Sequence, residues 1–436
     1  MNKLKVLVLG YGSREHALTW KISQSPCVSQ IFVAPGNAGT AQIATNIDIN
    51  DEDVDTLLAF ALQEQIDLTV VGTNDPLALG VVDAFQAAGL AIFGPTQAAA
   101  QLESSKAFAK AFMQRHNIAT PAYRAFTDYN EALSYLMNET TGRVVIKVSG
   151  LGKWGMGVTV CDNLMQAKAT LNTYMLDRVL GESADIVIIE ERIEGPEVSV
   201  FALSDGKNIV PLAPVQDHKR IYDGDEGPNT GGIAAFAPPP NLDADFMDTV
   251  TDTILQPTID GMAAEGTPYV GVLFAGLMLT DQGIQVLEFN CRFGNPEALV
   301  LVSLLKTDLV EAMQACIIGT LTDDCVQLHD RAAAAVVMTS PQYPGTFPTG
   351  LPISGIERAS RIPDVTIFHH GTQQDNGRLV TSRGRVLGVT AIGDDLAHAL
   401  NHVYKGIGKI DFEGAHYRQD IGKTYRSSSR PNNRAE

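Results

Sequence analysis

The sequence predicts an α/β protein of several packed units, opening with a doubly wound parallel sheet. Three observations carry this. Short β-rich runs alternate with helical stretches through roughly the first hundred residues. A chain of 436 residues with 45% hydrophobic content is too long for one ordinary core. Beyond the middle the pattern turns to longer strands separated by a glycine-rich loop.

In the first unit, 5–9, 30–34, 68–72 and 91–93 read as buried parallel strands, with helices over 14–24, 54–65 and 79–88. Gly94-Pro95-Thr96 closes it, and a helix over 106–115 leads to Pro121. A smaller α/β piece follows, with strands over 143–148 and 185–190 around a helix over 163–180. Longer strands are expected at 198–203, 271–279 and 285–289. A last unit has strands over 332–338, 366–369 and 385–391 and a helix over 394–406. The expected divisions are 1–122, 123–194, 195–328 and 329–425, with a loose polar tail at 426–436. No internal repeat is found.

Composition narrows the partners. Lys plus Arg is 32 and Asp plus Glu is 50, a net charge of −18, which sets the chain against nucleic acid. Five scattered cysteines show no paired CxxC spacing, and a reducing cytoplasmic compartment is expected. The apolar start Val6–Gly10 is only strand-length and runs into a glycine turn, so it is not read as a signal peptide. No other stretch approaches the roughly 20 apolar residues of a membrane span.

The chemistry centres on Leu287-Glu288-Phe289-Asn290. Two apart on a strand, Glu288 and Asn290 share one face, while Leu287 and Phe289 are expected to enter a core. A carboxylate beside an amide carbonyl is a hard-oxygen pair of the kind that holds Mg²⁺ with nucleotide phosphates. Arg292 would fork onto a carboxylate or phosphate, and Gly294 allows close backbone approach. Taken alone, the fragment also reads as a surface strand end.

Lys106, near a helix start, and Lys147, ending an apolar strand, would neutralise phosphate oxygens. An exposed helix lysine is the plainer reading of Lys106. Acidic groups in Ile189-Glu190-Glu191-Arg192-Ile193-Glu194-Gly195-Pro196-Glu197 would accept from an adenine amine or ribose, and the hinge amides would read a base edge. Gly150–Gly157 carries four glycines, with Lys153 adding charge over phosphates; the alternative is a ligand-free glycine hairpin. Gln216-Asp-His-Lys-Arg220 and Gly227-Pro-Asn-Thr-Gly-Gly232 form a second polar loop, expected as a flexible lid in which His218 is either a base or a hydrogen-bonding loop residue. Gly10-Tyr-Gly-Ser-Arg-Glu-His16 lacks the third glycine of a dinucleotide fingerprint, so a single phosphate at Arg14 and nearby amides is the better reading, with Pro35–Thr40 as a facing wall.

Together these segments resemble the phosphoribosylamine-glycine ligases (glycinamide ribonucleotide synthetases) of purine biosynthesis over roughly residues 1–425. Ser13-Arg-Glu-His-Ala-Leu, Val33-Ala-Pro-Gly-Asn-Ala-Gly-Thr, Phe93-Gly-Pro-Thr, Ser105-Lys-Ala-Phe, Gln216-Asp-His-Lys-Arg, Gly227-Pro-Asn-Thr-Gly-Gly and Leu287-Glu-Phe-Asn-Cys-Arg-Phe-Gly carry the resemblance in family order. It implies an N-terminal domain, ATP-grasp lid and central domains, and a mixed α/β C-terminal domain. It also implies a cytoplasmic, monomeric C–N ligase that uses ATP with Mg²⁺ or Mn²⁺, forms an acyl phosphate on glycine and passes it to 5-phosphoribosylamine.

By matching position, the resemblance gives Lys106 and Lys147 to ATP phosphates; Lys153 is shifted upstream of the family's lid lysine and is read toward the phosphates from the glycine-rich loop alone. Glu190 goes to the adenine amine, Glu191 and Ile193 to the base edge, Glu197 to the ribose, and Glu288 and Asn290 to the metal. Arg292 and Asp217 would orient the amino acid and acyl phosphate. Gly12, Arg14, Asn37, Thr40, Gly294 and Glu297 would bind the phosphoribosylamine. The chain departs from the family at Asn74 and at Asn295, where the family has acidic residues. It departs also at Gly155-Met156-Gly157, where the family has Gly-Lys-Gly, and at Gly231-Gly-Ile-Ala-Ala-Phe236. Two alternatives stay open: a paralogue with the same chemistry on another amino acid or amine, and a non-catalytic nucleotide-binding relative.

Overall fold

The computed structural model describes residues 3–152 and 157–423. Strands β1 (Leu4–Gly10), β2 (Val28–Pro35), β3 (Thr45–Asn46), β4 (Leu68–Val71) and β5 (Ile92–Phe93) form one parallel sheet in the order β3-β2-β1-β4-β5. Val6, Leu7, Val8 and Leu9 are all fully buried, because helices and neighbouring domains cover both faces. The order reverses direction at β1, so a crevice opens beyond the carboxyl ends of β1 and β4. The doubly wound expectation holds. The helix expected over 79–88 runs over Val81–Ala87, and a short helix the sequence did not suggest, Asn74–Ala78, precedes it; the chain turns between them at Gly80, which sits at φ +82°.

The lid piece is an antiparallel sheet of β6 (Tyr123–Phe126), β7 (Val144–Val148), β8 (Val158–Cys161) and β9 (Val187–Glu191), ordered β6-β9-β7-β8. Sequence reasoning missed β6 and β8, which are four residues each and half exposed, leaving little apolar pattern to read. The helix expected to 180 runs only over Leu164–Leu171 before widening into a π-helical turn at Asn172–Leu176. This unit keeps its own core of Phe126, Leu136, Ile146, Val148, Leu171 and Ile189, separate from the rest. It joins the next strand at Gly195, where an added Cβ would stand 2.0 Å from the Leu279 carbonyl oxygen.

The chain then lays down β10 (Glu197–Asp205), β11 (Ile209–Pro211), a long hairpin of β12 (Gln216–Tyr222) and β13 (Glu226–Ala237), and β14 (Val270–Thr280) with β15 (Gly283–Asn290). The central sheet is β11-β10-β14-β15. The hairpin leaves it and becomes the edge of the C-terminal sheet, β12-β13-β16-β20-β17, with β16 (Ala332–Thr339), β17 (Val365–His369), a separate pair β18 (Thr372–Asp375) and β19 (Arg378–Thr381), and β20 (Arg385–Gly393). This corrects the expectation of a flexible loop at 216–232. Glycine and polar residues hid two strands whose pairing partner, β16, is supplied from far along the chain.

His218 alternates with Asp217 and Lys219 and so faces the other side of β12, toward Phe236 of the C-terminal core (ring centroids 5.6 Å). It is therefore not presented with them as a base. Arg418, only 1% exposed, fastens the hairpin turn, reaching Asp225 Oδ1 (2.5 Å), Asp420 Oδ1 (2.8 Å) and the Arg220 carbonyl (3.3 Å). Arg418→Ala is expected to lower the urea midpoint by an amount equivalent to about 2 kcal/mol, because a buried charge-assisted network is lost. An unchanged midpoint would show that the clamp adds nothing.

Candidate functional site

The strand end beginning at Glu288 carries one continuous run of candidate site residues. Strand β15 pairs with β14 through a bulge, in which Gly276 faces Glu288 and Leu277 faces Val286, so Leu287 is the extra residue. Leu287 is therefore not a core residue as expected; Val286 and Phe289 enter the core together instead. The bulge frees the Leu287 carbonyl, which accepts from Lys147 Nζ at 3.1 Å.

Lys147 Nζ also lies 2.8 Å from Glu190 Oε1, and the other oxygen of that carboxylate pairs with Lys110. All three groups are buried, Glu190 at 2% exposure. Ser105 caps the helix Lys106–Arg115, accepting from the Phe108 N–H at 3.2 Å, and the Lys106 N–H donates to the Ser149 carbonyl at 2.8 Å. That seam brings Lys106 to the end of β7 beside Lys147. Lys110, one helical turn from Lys106, was missed, although the i, i+4 spacing places both on one face.

Burial favours the neutral form of Glu288, but Lys219, Lys106, Lys147 and Arg292 outweigh it and hold the carboxyl below its usual range. Burial lowers Lys106 in turn, with Glu288 opposing. Lys219 is held well above the ordinary lysine value, chiefly by Asp217. Its ammonium is 2.9 Å from Glu197 Oε2 and 3.8 Å from Asp217 Oδ2. Lys219 was also missed as a site residue, although it alternates with Asp217 inside a segment singled out for its polarity.

Arg292 donates through Nη2 to Glu103 Oε1 (2.8 Å) and Asn290 Oδ1 (2.9 Å), and Glu103 Oε2 accepts from the Cys291 N–H (2.7 Å). The Asn290 oxygen keeps a second lone pair, so Glu288 and Asn290 still offer two hard-oxygen donors. Among the described residues no group of three or more His, Cys, Asp or Glu side chains forms a cage for a metal ion. Two donors match the habit of Mg²⁺, which takes one or two protein oxygens and completes its shell with substrate phosphates and water.

Past Arg292 the segment meets the crevice of the first sheet. Arg14 Nη1 donates to the Phe293 carbonyl (3.0 Å) and its Nε to Glu15 Oε1 (2.5 Å), while Glu15 Oε2 accepts from the Gly12 N–H (2.6 Å). Gly294 leaves the space that Glu297 fills, since a Cβ there would stand 2.5 Å from the Glu297 carboxyl. Burial, with the Asp217 charge added, pushes Glu297 up to about 7.

Asn37 and Thr40 do not present free side chains. Asn37 Nδ2 donates to the Tyr11 (2.7 Å) and His369 (2.9 Å) carbonyls, and its oxygen accepts from the Gly39 and Thr40 N–H groups. Thr40 Oγ1 is spent on the Asn37 carbonyl and Asn46. Both shape the wall beside Gly12. In the hinge, Glu191 is exposed, its N–H donating to the Ala122 carbonyl (2.8 Å), and Ile193 is half-buried. Lys153 and Met156 lie outside the described residues.

Asn295 sits where three domains meet. Its Oδ1 accepts from Ser13 Oγ (2.9 Å), its Nδ2 is 3.4 Å from His370 Nδ1, and its carbonyl accepts from Arg385 Nη1 (2.9 Å). Burial, then Arg385, Arg383 and Arg14, hold His370 well below the ordinary histidine value. A neutral amide fits between a neutral imidazole and a hydroxyl. Gly232, at φ +103°, lets β13 approach this point, for a Cβ there would stand 2.4 Å from Pro296 Cδ.

Comparison with known proteins places this geometry in a family. The models for the phosphoribosylglycinamide synthetase N domain, ATP-grasp (A) domain and C domain match residues 4–103, 104–298 and 333–424. The chain is 49% identical over 421 residues to the trifunctional purine biosynthetic protein adenosine-3 of Gallus gallus, covering 96% of this chain but only 42% of that protein. It is 44% identical over 422 residues to the phosphoribosylamine–glycine ligase of Caldanaerobacter subterraneus subsp. tengcongensis, covering 97% of this chain and 100% of the relative. The crystal structure of phosphoribosylamine–glycine ligase from Thermotoga maritima superposes with a TM-score of 0.82 at 30% identity, covering 96% of this chain and 100% of that one. With its three domains matched in order and its charged strand end placed between them, the chain belongs to the phosphoribosylglycinamide synthetase family of ATP-grasp ligases.

Proposed function

We propose that the chain joins glycine to 5-phosphoribosylamine through a glycyl phosphate made with ATP, giving glycinamide ribonucleotide, ADP and phosphate. The observation that carries the reading is the unbroken segment from Glu288 to Glu297. One end lies among Lys106, Lys147 and Lys219, the other against Gly12, Arg14 and the C-terminal domain. Such a segment spans from a phosphoryl donor to an amine acceptor.

Phosphoryl transfer to a carboxylate needs positioning and charge neutralisation rather than a nucleophilic side chain. Lys106 and Lys147 hold the triphosphate, Lys153 adds to them from the glycine-rich loop, and Glu190, Glu191, Ile193 and Glu197 line the base and ribose side. Magnesium or manganese, held by Glu288 and Asn290, would neutralise charge on the phosphates. Arg292, fixed by Glu103, orients the glycine carboxylate and then the acyl phosphate, with Asp217 opposite. Gly12, Arg14 and Gly294 meet the phosphoribosylamine, and Asn37 and Thr40 act through the wall they shape. Glu297 Oε accepts the proton that the attacking amine loses. The protein works as a cytoplasmic monomer on small molecules. Among the described residues, no helix is long and apolar enough to cross a membrane.

Supplying ATP, magnesium and glycine with enzymatically generated phosphoribosylamine should release ADP only when all are present. ADP release that requires a different acid or amine would overturn the substrates and favour the paralogue, for which the neutral Asn74 and Asn295 are the motive. Arg292→Lys should lower kcat by at least about a hundredfold, since one planar fork is replaced by a point charge.

The raised pKa of Glu297 gives a pH signature. Proton acceptance needs the ionised form, so kcat falls as pH drops through about 7, and Glu297→Gln loses that acid limb along with most of its rate. Because the fold disfavours the ionised form, stability is lost as pH rises from the unfolded value of 4.5 through about 7. Thermal melts should therefore show Glu297→Gln more stabilised at pH 8 than at pH 5. A wild-type rate flat from pH 8 to pH 5 would remove Glu297 from the proton step.

A further inference from the structure

We propose that Lys110 is a positioning residue of the nucleotide site: it is the resident counter-ion of Glu190, and it frees the Lys147 ammonium to engage a triphosphate. The inference rests on the nucleotide reading above and adds a residue that touches no substrate.

One buried carboxylate is shared here by two buried ammonium groups, with Glu190 and Lys110 each 2% exposed and Lys147 5% exposed. The two lysines are held differently. Lys110 Nζ donates to Thr120 Oγ1 (2.6 Å), which itself donates to the Val286 carbonyl (2.7 Å), so Lys110 is tied through Thr120 to the central sheet. The Tyr123 ring lies 5.7 Å from the same ammonium. Lys147 instead stands at the open end of its strand beside Lys106 and Glu288, with its bonds to Glu190 and Leu287 leaving one of its three N–H donors uncommitted.

An arriving triphosphate draws Lys147 away from Glu190. With a single lysine, that movement would strand a buried carboxylate, and the cost would be taken from nucleotide affinity. With Lys110 in place, Glu190 stays paired throughout. The charged groups facing Lys110 are Glu190 on β9, Lys147 on β7 and Glu288 on β15; burial, opposed by Glu190, brings its pKa down to about 8.

The test measures binding of ATP with magnesium to the full chain by equilibrium titration. Lys110→Met should weaken ATP binding about a hundredfold, since Glu190 then captures Lys147. Adding Glu190→Gln to Lys110→Met should recover at least about tenfold of that loss, because no carboxylate remains to be stranded while the glutamine oxygen still accepts from the base amine. A merely space-filling lysine predicts no recovery, and that result, or wild-type affinity in Lys110→Met, overturns the proposal. Wild-type ATP affinity should also fall above about pH 8 as Lys110 loses its proton. Lys110→Arg, which keeps its charge, should hold its affinity there; an alkaline limb unchanged in Lys110→Arg overturns the proposal even where Lys110→Met does not fold. Failure of the wild-type protein to bind ATP would sink the nucleotide reading itself.

Discussion

The site depends on keeping several ammonium groups out of bulk water without losing their charge. A buried lysine persists as a cation only beside an anion, so Lys110 and Lys147 fix the position of a carboxylate, and the partly exposed Lys106 and Lys219 each lie beside one. Glu190 answers two of them from the lid sheet, Glu288 answers several from the central sheet, and Asp217 and Glu197 answer Lys219. These pairings cross domain boundaries, and they account for much of why the lid, central and C-terminal sheets end at one place. The bulge at Leu287 serves the same requirement by turning a backbone carbonyl toward Lys147.

The junction around Asn295, by contrast, is assembled from neutral groups. His370, crowded by three guanidinium groups and buried, has no reason to hold a proton, and Asn295 meets it as an uncharged partner. Arg385 answers the Gly231, Gly232 and Asn295 carbonyls rather than a carboxylate. The Asn295 amide thus sits in a satisfied hydrogen-bond network.

How much of this was legible in the sequence follows from what each residue's signal depends on. The first sheet was readable because its strands are buried on both faces and its helices are locally capped, as at Asp53. Glu288, Asn290 and Arg292 were readable because alternation along a strand is a local property. Glu103 was not, for it gains its meaning only from Arg292 on another element; Lys110 shares the helix face of Lys106, a local signal, but its pairing with Glu190 on the lid sheet is not visible along the chain. Strands β12 and β13 failed for the same reason on a larger scale. Their composition is that of a loop, and only pairing with β16 makes them a sheet.

That pairing has a consequence during synthesis. Ala234 lies opposite Val336, about a hundred residues later, so at 5 to 20 residues per second the edge of β13 waits on the order of 5 to 20 s for its neighbour. Through that interval the hairpin bearing Asp217 and Lys219 presents an open strand edge with the apolar run Ile233-Ala-Ala-Phe236. A nascent chain of this protein is thus most exposed to wrong pairing at the segment that will later complete its candidate site.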